Sequence, residues 1–228
     1  MANADSDYGL SKQVCSASVA APNLPYLPPV SRSFKPRIGL VGAGGVSEYH
    51  LRAYQQMGLD VVMICDVDGA RAASRRDAFY PQAEVCTDYA RLMQRDDIAV
   101  VDIALHPEHR APVIQAAIQA GKHILSQKPF ALDLDDALRM LDEADRRSLK
   151  IAVNQNGRWA PHFAYAREAV RAGLLGRIGS VDFNLAFDHS WTVGTHFENI
   201  HHLLLYDFGV HWFDLAGCLL AGQKPVSV

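Results

Sequence analysis

The 228-residue sequence is poor in cysteine and carries no excess of basic charge. Its cysteines are far apart and form no Cys-x-x-Cys pair; they are Cys15, Cys65, Cys86 and Cys218. Two of them lie in apolar, strand-like runs, which is typical of reduced, buried thiols and indicates a cytoplasmic protein. The formal net charge of −3 offers no cationic surface to neutralise phosphates, so the composition argues against nucleic-acid binding.

Long apolar runs are missing as well. No stretch of the sequence approaches the roughly 18 consecutive apolar residues that a membrane-spanning helix needs. The N-terminus has no basic segment followed by an apolar one, as a secretory signal requires. Membrane and secreted classes are therefore disfavoured. The hydrophobic fraction of 49% and the charged fraction of 21% are those of a globular protein of one or two domains.

Residues 1–36 differ from the rest of the chain. Positions 21–30 hold four prolines, which favour an extended, polyproline-like arm and exclude a helix. Two interpretations of this N-terminal extension stay open. It is either a disordered segment or an arm that lies over a neighbouring subunit.

A regular alternation of strands and helices begins at Arg37. Short apolar runs predict strands at 38–41, 61–65, around 85, 98–105, 123–125 and 151–153. Amphipathic spacing and turn residues predict helices at 46–57, 69–79, 88–95, 107–120 and 133–147. This order is typical of a parallel sheet covered on both faces, so residues 37–153 are predicted to form an α/β Rossmann domain.

The pattern changes after position 153. A helix is predicted at 160–172 and another at 207–221, and residues 178–188 alternate between apolar and polar side chains. Alternation with a period of two predicts a strand with one solvated face, as in a mainly antiparallel sheet. Residues 154–228 are therefore expected to begin an α+β domain for substrate and oligomerisation. That domain is predicted to be incomplete, so its open sheet edge favours oligomers or poor solubility.

A glycine-rich turn follows the first predicted strand. Residues 42–47 read GAGGVS and match G-x-G-x-x-(G/A) with Ser47 in the third place. Gly42 permits the tight turn, and Gly44 lets the backbone approach a pyrophosphate. The helix that starts near Val46 presents free N–H groups to the anion, beside Gly45. A plain strand–helix turn is the alternative.

Asp66 closes the second predicted strand about 20 residues further on, where the acceptor of a ribose 2′-hydroxyl belongs. The alternative is a helix cap. A carboxylate there repels a 2′-phosphate, so NAD is the predicted cofactor. Arg71, Arg75 and Arg76 keep NADP open, because arginines can accommodate that phosphate.

A second group of residues suggests catalysis. Lys128 directly follows a buried strand, where parallel-sheet proteins bind ligands. Asp207 and His211 stand at positions i and i+4 of a predicted helix, so that the carboxylate can orient the imidazole as a general base. A solvated helix face and a strand-end lysine are the alternatives.

With these motifs the sequence resembles the Gfo/Idh/MocA oxidoreductases, which include glucose–fructose oxidoreductase and inositol dehydrogenase. The matching stretches are IGLVGAGGVS at 38–47 with His50, ICD at 64–66, HPEH at 106–109, GKHILSQKP at 121–129, NGRW at 156–159, GLLGRIG at 173–179 and DFGVH at 207–211. The resemblance implies a Rossmann domain followed by a mainly antiparallel domain. It also implies hydride transfer between a sugar or polyol and a nicotinamide cofactor, in a dimer or tetramer.

The resemblance assigns roles to particular residues. The catalytic set is Lys128, Asp207 and His211. Cofactor contacts are expected from the glycine turn and Asp66, and also from Leu105, His106, Gln127 and Arg158. Substrate contacts are expected from Asn156, His189 and Trp191. Where the family usually has glutamate before the lysine, this chain has Gln127, which keeps a hydrogen-bonding group but loses a negative charge.

Five of the ten histidines lie between positions 189 and 211, which suggests a metal site. Their spacing matches no known ligand pattern, so no metal is predicted.

Three functions follow from these observations. The leading hypothesis is an NAD-dependent dehydrogenase that acts on a sugar or polyol. The others are a relative that uses NAD transiently in glycoside cleavage or epimerisation, and a non-catalytic nucleotide-binding protein.

Overall fold

Short runs of apolar and β-branched residues form the strands of one central sheet. The computed structural model describes residues 20–29, 31 and 33–227. The strands are β1 (Arg37–Val41), β2 (Asp60–Cys65), β3 (Glu84–Cys86), β4 (Val100–Ile103), β5 (His123–Gln127) and β6 (Ile151–Asn154). The helices are α1 (Ser47–Met57), α2 (Gly69–Phe79), α3 (Tyr89–Met93), α4 (Arg110–Gln119), α5 (Leu134–Arg146), α6 (Pro161–Arg171) and α7 (Val210–Leu219). Single 3₁₀ turns form at Pro107–His109, Asn156–Trp159, Ser190–Thr192 and His196–Asn199.

The sheet has the strand order β3-β2-β1-β4-β5-β6, and its five neighbouring pairs are all parallel. Val41 at the end of β1 is in register with Cys65 of β2 on one side and Ile103 of β4 on the other. The strand order therefore reverses between β1 and β4, and the chain leaves these two strands in opposite directions. This arrangement is the Rossmann fold, as predicted, and ligands bind at such a switch point.

Helices cover both faces of the sheet and bury the apolar side chains there. On one face α1 and α2 cover a cluster that includes Leu40, Leu51 and Ile64, all 0% exposed. On the other face α3, α4 and α5 cover a second cluster that includes Ile103 and Ile114, both also 0% exposed. Burial of each such side chain contributes about 2 kcal/mol, which is why a sheet of short strands is stable.

The predicted helix at 107–120 divides into two parts. Pro107 begins a 3₁₀ turn, and α4 continues from Arg110. The helix ends before Gly121, whose φ of 69° lies in the left-handed region that glycine adopts without strain. Side-chain caps begin the other helices where the sequence has aspartate: Asp68 accepts the backbone N–H groups of Ala70 and Arg71 at the start of α2.

The antiparallel strand predicted at 178–188 is wrong. These residues form no strand in the described part of the chain. Alternation shows only which side chains would share a face, whereas a strand also needs a backbone partner, and no described strand pairs with this segment. Phe183 instead stacks on Trp212 of α7, while Leu185 and Phe187 are more than half exposed.

The helix predicted at 207–221 also differs in detail. It begins with a π-helical turn at Leu204–Gly209, and α7 follows. Asp207 therefore lies in the π-helical turn and His211 in the α-helix. Their spacing predicted one continuous α-helix for both residues, and this prediction is wrong in detail.

Part of the predicted N-terminal arm lies against the same chain. Tyr165 of α6 donates a hydrogen bond to the carbonyl of Pro22 at 2.9 Å, and its ring packs edge-on against Tyr26. Residues 1–19, 30 and 32 of the arm lie outside the described residues, as does Cys15. Within the described ranges, no helix has both the length and the apolar character needed to cross a bilayer.

Candidate active site

The glycine turn between β1 and α1 is shaped by close backbone contact. Gly42 has a φ of 100°, and a Cβ atom there would lie 2.7 Å from the carbonyl oxygen of Ala104 at the end of β4. No other residue fits this position. Gly44 and Gly45 face open space instead, and no described side chain caps the N-terminus of α1. The turn therefore leaves room and free N–H groups for a pyrophosphate, so these residues fit a dinucleotide.

Asp66 holds the glycine turn in place. Its side chain is buried, and its Oδ2 atom accepts the backbone N–H of Ala43 at 2.7 Å. Its Oδ1 atom accepts the N–H of Asp68 at 2.9 Å. The carboxylate predicted to bind ribose thus also connects the ends of β1 and β2. This second role was not predicted, because spacing alone does not show a contact across the sheet.

The three arginines that kept NADP open all have carboxylate partners. Arg75 binds Glu48 at 2.9 Å and points its guanidinium at the carbonyls of Ala43 and Gly44, each at 3.4 Å. Arg71 lies 3.3 Å from Asp68 and 3.7 Å from Asp66, and Arg76 pairs with Asp77. Arg75 therefore helps to hold the backbone of the glycine turn at Ala43 and Gly44.

Lys128 and Asp207 form an ion pair between the sheet and the C-terminal region. The Lys128 Nζ atom lies 2.8 Å from Asp207 Oδ1 and 2.9 Å from the Asp207 carbonyl oxygen. Both side chains are about one fifth exposed, at 17% and 21%. Lys128 follows β5, and Asp207 lies in the π-helical turn before α7, so the fold joins residues that are 79 positions apart.

His211 lies beside this pair but makes no hydrogen bond with Asp207. Its Nδ1 atom is buried without a hydrogen-bond partner among the described residues. Burial and the positive charge of Lys128 lower the pKa of His211, whereas Asp207 and Asp214 oppose that change. The predicted orienting bond from Asp207 to the imidazole is thus not formed, because the carboxylate pairs with Lys128.

Gly157 makes room for the imidazole. A Cβ atom at this position would lie 2.9 Å from His211 Nδ1. Only a residue without a side chain lets the 3₁₀ turn at Asn156–Trp159 approach α7 so closely. The sequence could not have shown this role, because it depends on a contact with a helix far along the chain.

A buried arginine that was not predicted holds the backbone around Lys128. Arg110 at the start of α4 donates to the carbonyls of Gln127, Lys128 and Pro129, and also to that of Leu105 at 2.8 Å. Its side chain is 3% exposed, and burial lowers the pKa of the guanidinium to about 10. One planar cation thus fixes three successive carbonyls, which defines the path of the chain where the lysine leaves β5.

The remaining cofactor and substrate candidates before residue 188 lie either on the 3₁₀ turn at Asn156–Trp159 or at the carboxyl ends of β4 and β5. Arg158 forms a two-pronged ion pair with Asp214, which joins the 3₁₀ turn to α7 and raises the pKa of Arg158. Neighbouring Asn156 is exposed. Leu105 and His106 lie at the carboxyl end of β4, and Gln127 is buried at the end of β5.

The loop after residue 188 reaches the sheet through aromatic contacts. The ring of Phe197 packs against Trp191 at 5.1 Å and against His106 at 5.8 Å. His189 packs edge-on against Phe208, the residue after Asp207, at 4.7 Å. Both candidates of this loop therefore lie near groups that belong to the site. In the part of the chain that the structure describes, no three His, Cys, Asp or Glu side chains are grouped to hold a metal.

Comparison with known proteins identifies the class. Residues 36–155 match the Gfo/Idh/MocA oxidoreductase family with its NAD-binding Rossmann fold, and the chain belongs to this family. The resemblance indicated by the motifs is thereby confirmed, and the Rossmann domain is an NAD-binding one, as predicted.

Several relatives are dehydrogenases. D-apiose dehydrogenase of Paraburkholderia graminis is 33% identical over 78% of this chain and 48% of its own. Inositol 2-dehydrogenase of Rhizobium meliloti is 30% identical over 84% and 57%. The structure of myo-inositol dehydrogenase from Lactobacillus casei with NAD(H) and myo-inositol has a TM-score of 0.58 and 25% identity over 63% and 43%. This chain thus spans about half the length of the relatives that it matches.

Proposed function

We propose that this protein is an NAD-dependent dehydrogenase that oxidises a hydroxyl group of a sugar or cyclic polyol. The observation that carries the proposal is the ion pair of Lys128 and Asp207 beside the His211 imidazole. It lies at the carboxyl edge of an NAD-binding Rossmann sheet, where ligands of this fold bind. The names of the relatives above, which are dehydrogenases of sugars and inositol, support the same chemistry.

His211 is the proposed general base. Because burial and Lys128 lower its pKa, the imidazole is neutral at neutral pH and can accept the hydroxyl proton. Lys128 donates a hydrogen bond to the substrate oxygen and stabilises the negative charge that develops there. Asp207 keeps the ammonium group in place. NAD, when bound, supplies the hydride acceptor.

Around this set we infer two groups of contacts. On the cofactor side are the glycine turn (Gly42, Gly44, Gly45 and Val46), Asp66, Leu105, His106, Gln127 and Arg158. On the substrate side are Asn156, His189 and Trp191. The aromatic contacts of Trp191 and His189 with Phe197 and Phe208 support a place for that loop over the site.

We further infer a C-terminal substrate domain from about position 154, with a mainly antiparallel sheet, and a homo-oligomer formed through it. More than half of the surface of several apolar side chains is exposed in this region, including Leu205 and Phe213. Such a surface is usually covered by other protein. A cytoplasmic location agrees with the free, buried thiols of Cys65 and Cys86.

The proposal is tested by titrating the chain with NAD in a calorimeter and by following NADH formation with a panel of polyols and aldoses. We expect NAD binding in the wild-type protein and in Lys128→Met, and NADH formation in the wild-type protein alone. Removal of a catalytic acid or base group typically lowers the rate by about 100-fold or more. Asp60→Asn, at the opposite end of the sheet, serves as the control. Sugar conversion without net NADH would contradict the dehydrogenase in favour of a transient use of NAD.

A further inference from the structure

A buried carboxylate lies in the middle of the central sheet, where apolar side chains are the rule. Asp102 belongs to β4, between β1 and β5, and its side chain is 0% exposed. Its Oδ1 atom has no hydrogen-bond partner among the described residues. Because a buried and incompletely paired carboxylate destabilises a fold, its presence indicates a role that an apolar residue cannot perform.

Asp102 selects one tautomer of the imidazole beside it. Its Oδ2 atom accepts a hydrogen bond from the Tyr54 hydroxyl at 2.8 Å and lies 2.7 Å from His50 Nδ1. Burial and this carboxylate raise the pKa of Tyr54, so the phenol remains the donor. An ionised carboxylate can only accept. The proton between Asp102 and His50 therefore belongs to Nδ1, which leaves a lone pair on Nε2.

The lone pair of His50 points to two amide side chains at the edge of the site. Gln127 Nε2 lies 2.7 Å from His50 Nε2, and Asn154 Nδ2 lies 3.0 Å from it. A glutamine that donates from Nε2 must present Oε1 on its other side, and Gln127 Oε1 accepts the backbone N–H of Lys128 at 3.1 Å. A continuous chain of contacts thus runs from Asp102 through His50 and Gln127 to Lys128.

We propose that Asp102 and His50 are positioning residues for the catalytic edge of the sheet. By fixing the tautomer of one buried imidazole, they orient the amides of Gln127 and Asn154 at the ends of β5 and β6. They thereby fix the backbone from which Lys128 reaches the substrate. This inference rests on the proposed function, in which Lys128 acts on the substrate oxygen.

The same arrangement gives a reason for the glutamine at position 127, where the family resemblance leads one to expect glutamate. A glutamate there would direct a second carboxylate at His50 Nε2 and require both ring nitrogens to carry a proton. Asp102 and Gln127 together give the imidazole one acceptor and one donor. The two residues are therefore a matched pair, and changing either alone should disturb the histidine.

The direct test is the protonation of His50, observed by ¹⁵N nuclear magnetic resonance of the full chain with labelled histidine at neutral pH. His50→Gln identifies the resonances by their loss. We expect Nδ1 protonated and Nε2 unprotonated in the wild-type protein, and the opposite tautomer in Asp102→Asn. Asp60→Asn should leave the spectrum unchanged. A wild-type His50 with the proton on Nε2, or with protons on both nitrogens, overturns the inference without touching the proposed dehydrogenase.

Exchanging the carboxylate of Asp102 and the amide of Gln127 gives a second test. In Gln127→Glu we expect both nitrogens of His50 to be protonated, and in Asp102→Asn/Gln127→Glu a single proton, now on Nε2. A spectrum that Gln127→Glu does not change overturns the inference.

Turnover separates the two proposals. Asp102→Asn and His50→Gln should each lower kcat by about tenfold or more, because a misplaced lysine affects chemistry more than binding. The KM for NAD should change by less, since Gln127 is one of several proposed cofactor contacts. The double variant should be no slower than either single one. Additive losses overturn the positioning role. If the expected tautomers are observed but neither the wild-type protein nor any variant forms NADH, the proposed function fails. The inference that Asp102 fixes the tautomer of His50 then still holds.

Discussion

The sheet region (residues 37–154) and the C-terminal region (residues 155–227) of this chain are built by different means. In the first, strands pair with one another, and residues such as Val101 and Ile103 are 0% exposed. In the second, helices and turns carry exposed apolar residues, among them Leu204, at 58%, and Phe213, at 67%. The comparison shows that buried side chains are concentrated in the sheet region, whereas the proposed catalytic set draws on both regions. The sheet region contributes Lys128, and the C-terminal region contributes Asp207 and His211 where the two regions meet.

The largest effect that separates the regions is expected in stability. Ile103→Ala removes a fully buried side chain from the centre of the sheet and should destabilise the protein by about 2–5 kcal/mol. Phe213→Ala removes a side chain that is 67% exposed and should change stability by no more than about 0.5 kcal/mol. Urea denaturation followed by circular dichroism measures both. Equal losses would show that the C-terminal region has a core of its own.

Binding of the cofactor should depend mainly on the sheet region. Asp66→Ala removes the predicted ribose acceptor and the bond to the Ala43 N–H, so NAD affinity should fall by about tenfold or more. The affinity for NADP should be spared, since a repulsion is removed as well. Calorimetric titration with each dinucleotide measures this, with Asp60→Ala as the control on an exposed carboxylate. Unchanged NAD affinity contradicts the assignment of Asp66.

The border between the regions can be probed through His211. In the wild-type protein burial and Lys128 favour the neutral imidazole, so the proton leaves at a lower pH than in an exposed histidine. Activity that depends on a neutral His211 should therefore persist below the usual range of histidine titration and fall as the pH decreases further.

Lys128→Met removes the repelling cation and should raise the pKa of His211. The titration of its ring carbon protons by nuclear magnetic resonance measures the change. His162→Gln, on α6, is the control that should not alter it. A pKa of His211 that stays the same or falls in Lys128→Met would show that the lysine does not act on the imidazole.

The smallest effect concerns the N-terminal arm. Tyr165→Phe removes one exposed hydrogen bond to Pro22 and keeps the ring that packs on Tyr26. The protein should lose about 1 kcal/mol or less, and limited proteolysis of residues 20–29 should become faster. Tyr49→Phe, on an exposed surface of α1, is the matched control. If cleavage is equally fast in both variants, the arm does not depend on this bond.

The strands and helices of the sheet region could be predicted nearly in full from the sequence, because each of them is marked by a local sequence pattern. Strand runs are apolar, and aspartates, Pro107 and Gly121 mark helix ends. The motifs and the family resemblance predicted Lys128, Asp207 and His211 as one catalytic set. The contact of Asp207 was predicted incorrectly, since it pairs with the lysine rather than with the histidine.

The residues that were missed share one property. Arg110, Asp102 and Gly157 act mainly through groups that are distant along the chain, so no local pattern marks them. The prediction of a strand at 178–188 was wrong for the opposite reason, since a local pattern was present without a distant partner. Its alternation is local, but a strand exists only when another backbone lies beside it.

The separation of Lys128 and Asp207 has a consequence for the kinetics of folding. Their ion pair closes a loop of 79 residues, and the entropy lost in that closure exceeds what one partly solvated ion pair returns. The pair can therefore persist only after the sheet has formed and α7 has docked on the turn at Asn156–Trp159. The loop-closure entropy must be lost before such a non-local contact can compensate for it. The arrival of Asp207 at Lys128 should thus belong to the last folding step, and a probe on that pair would report completion of the native state.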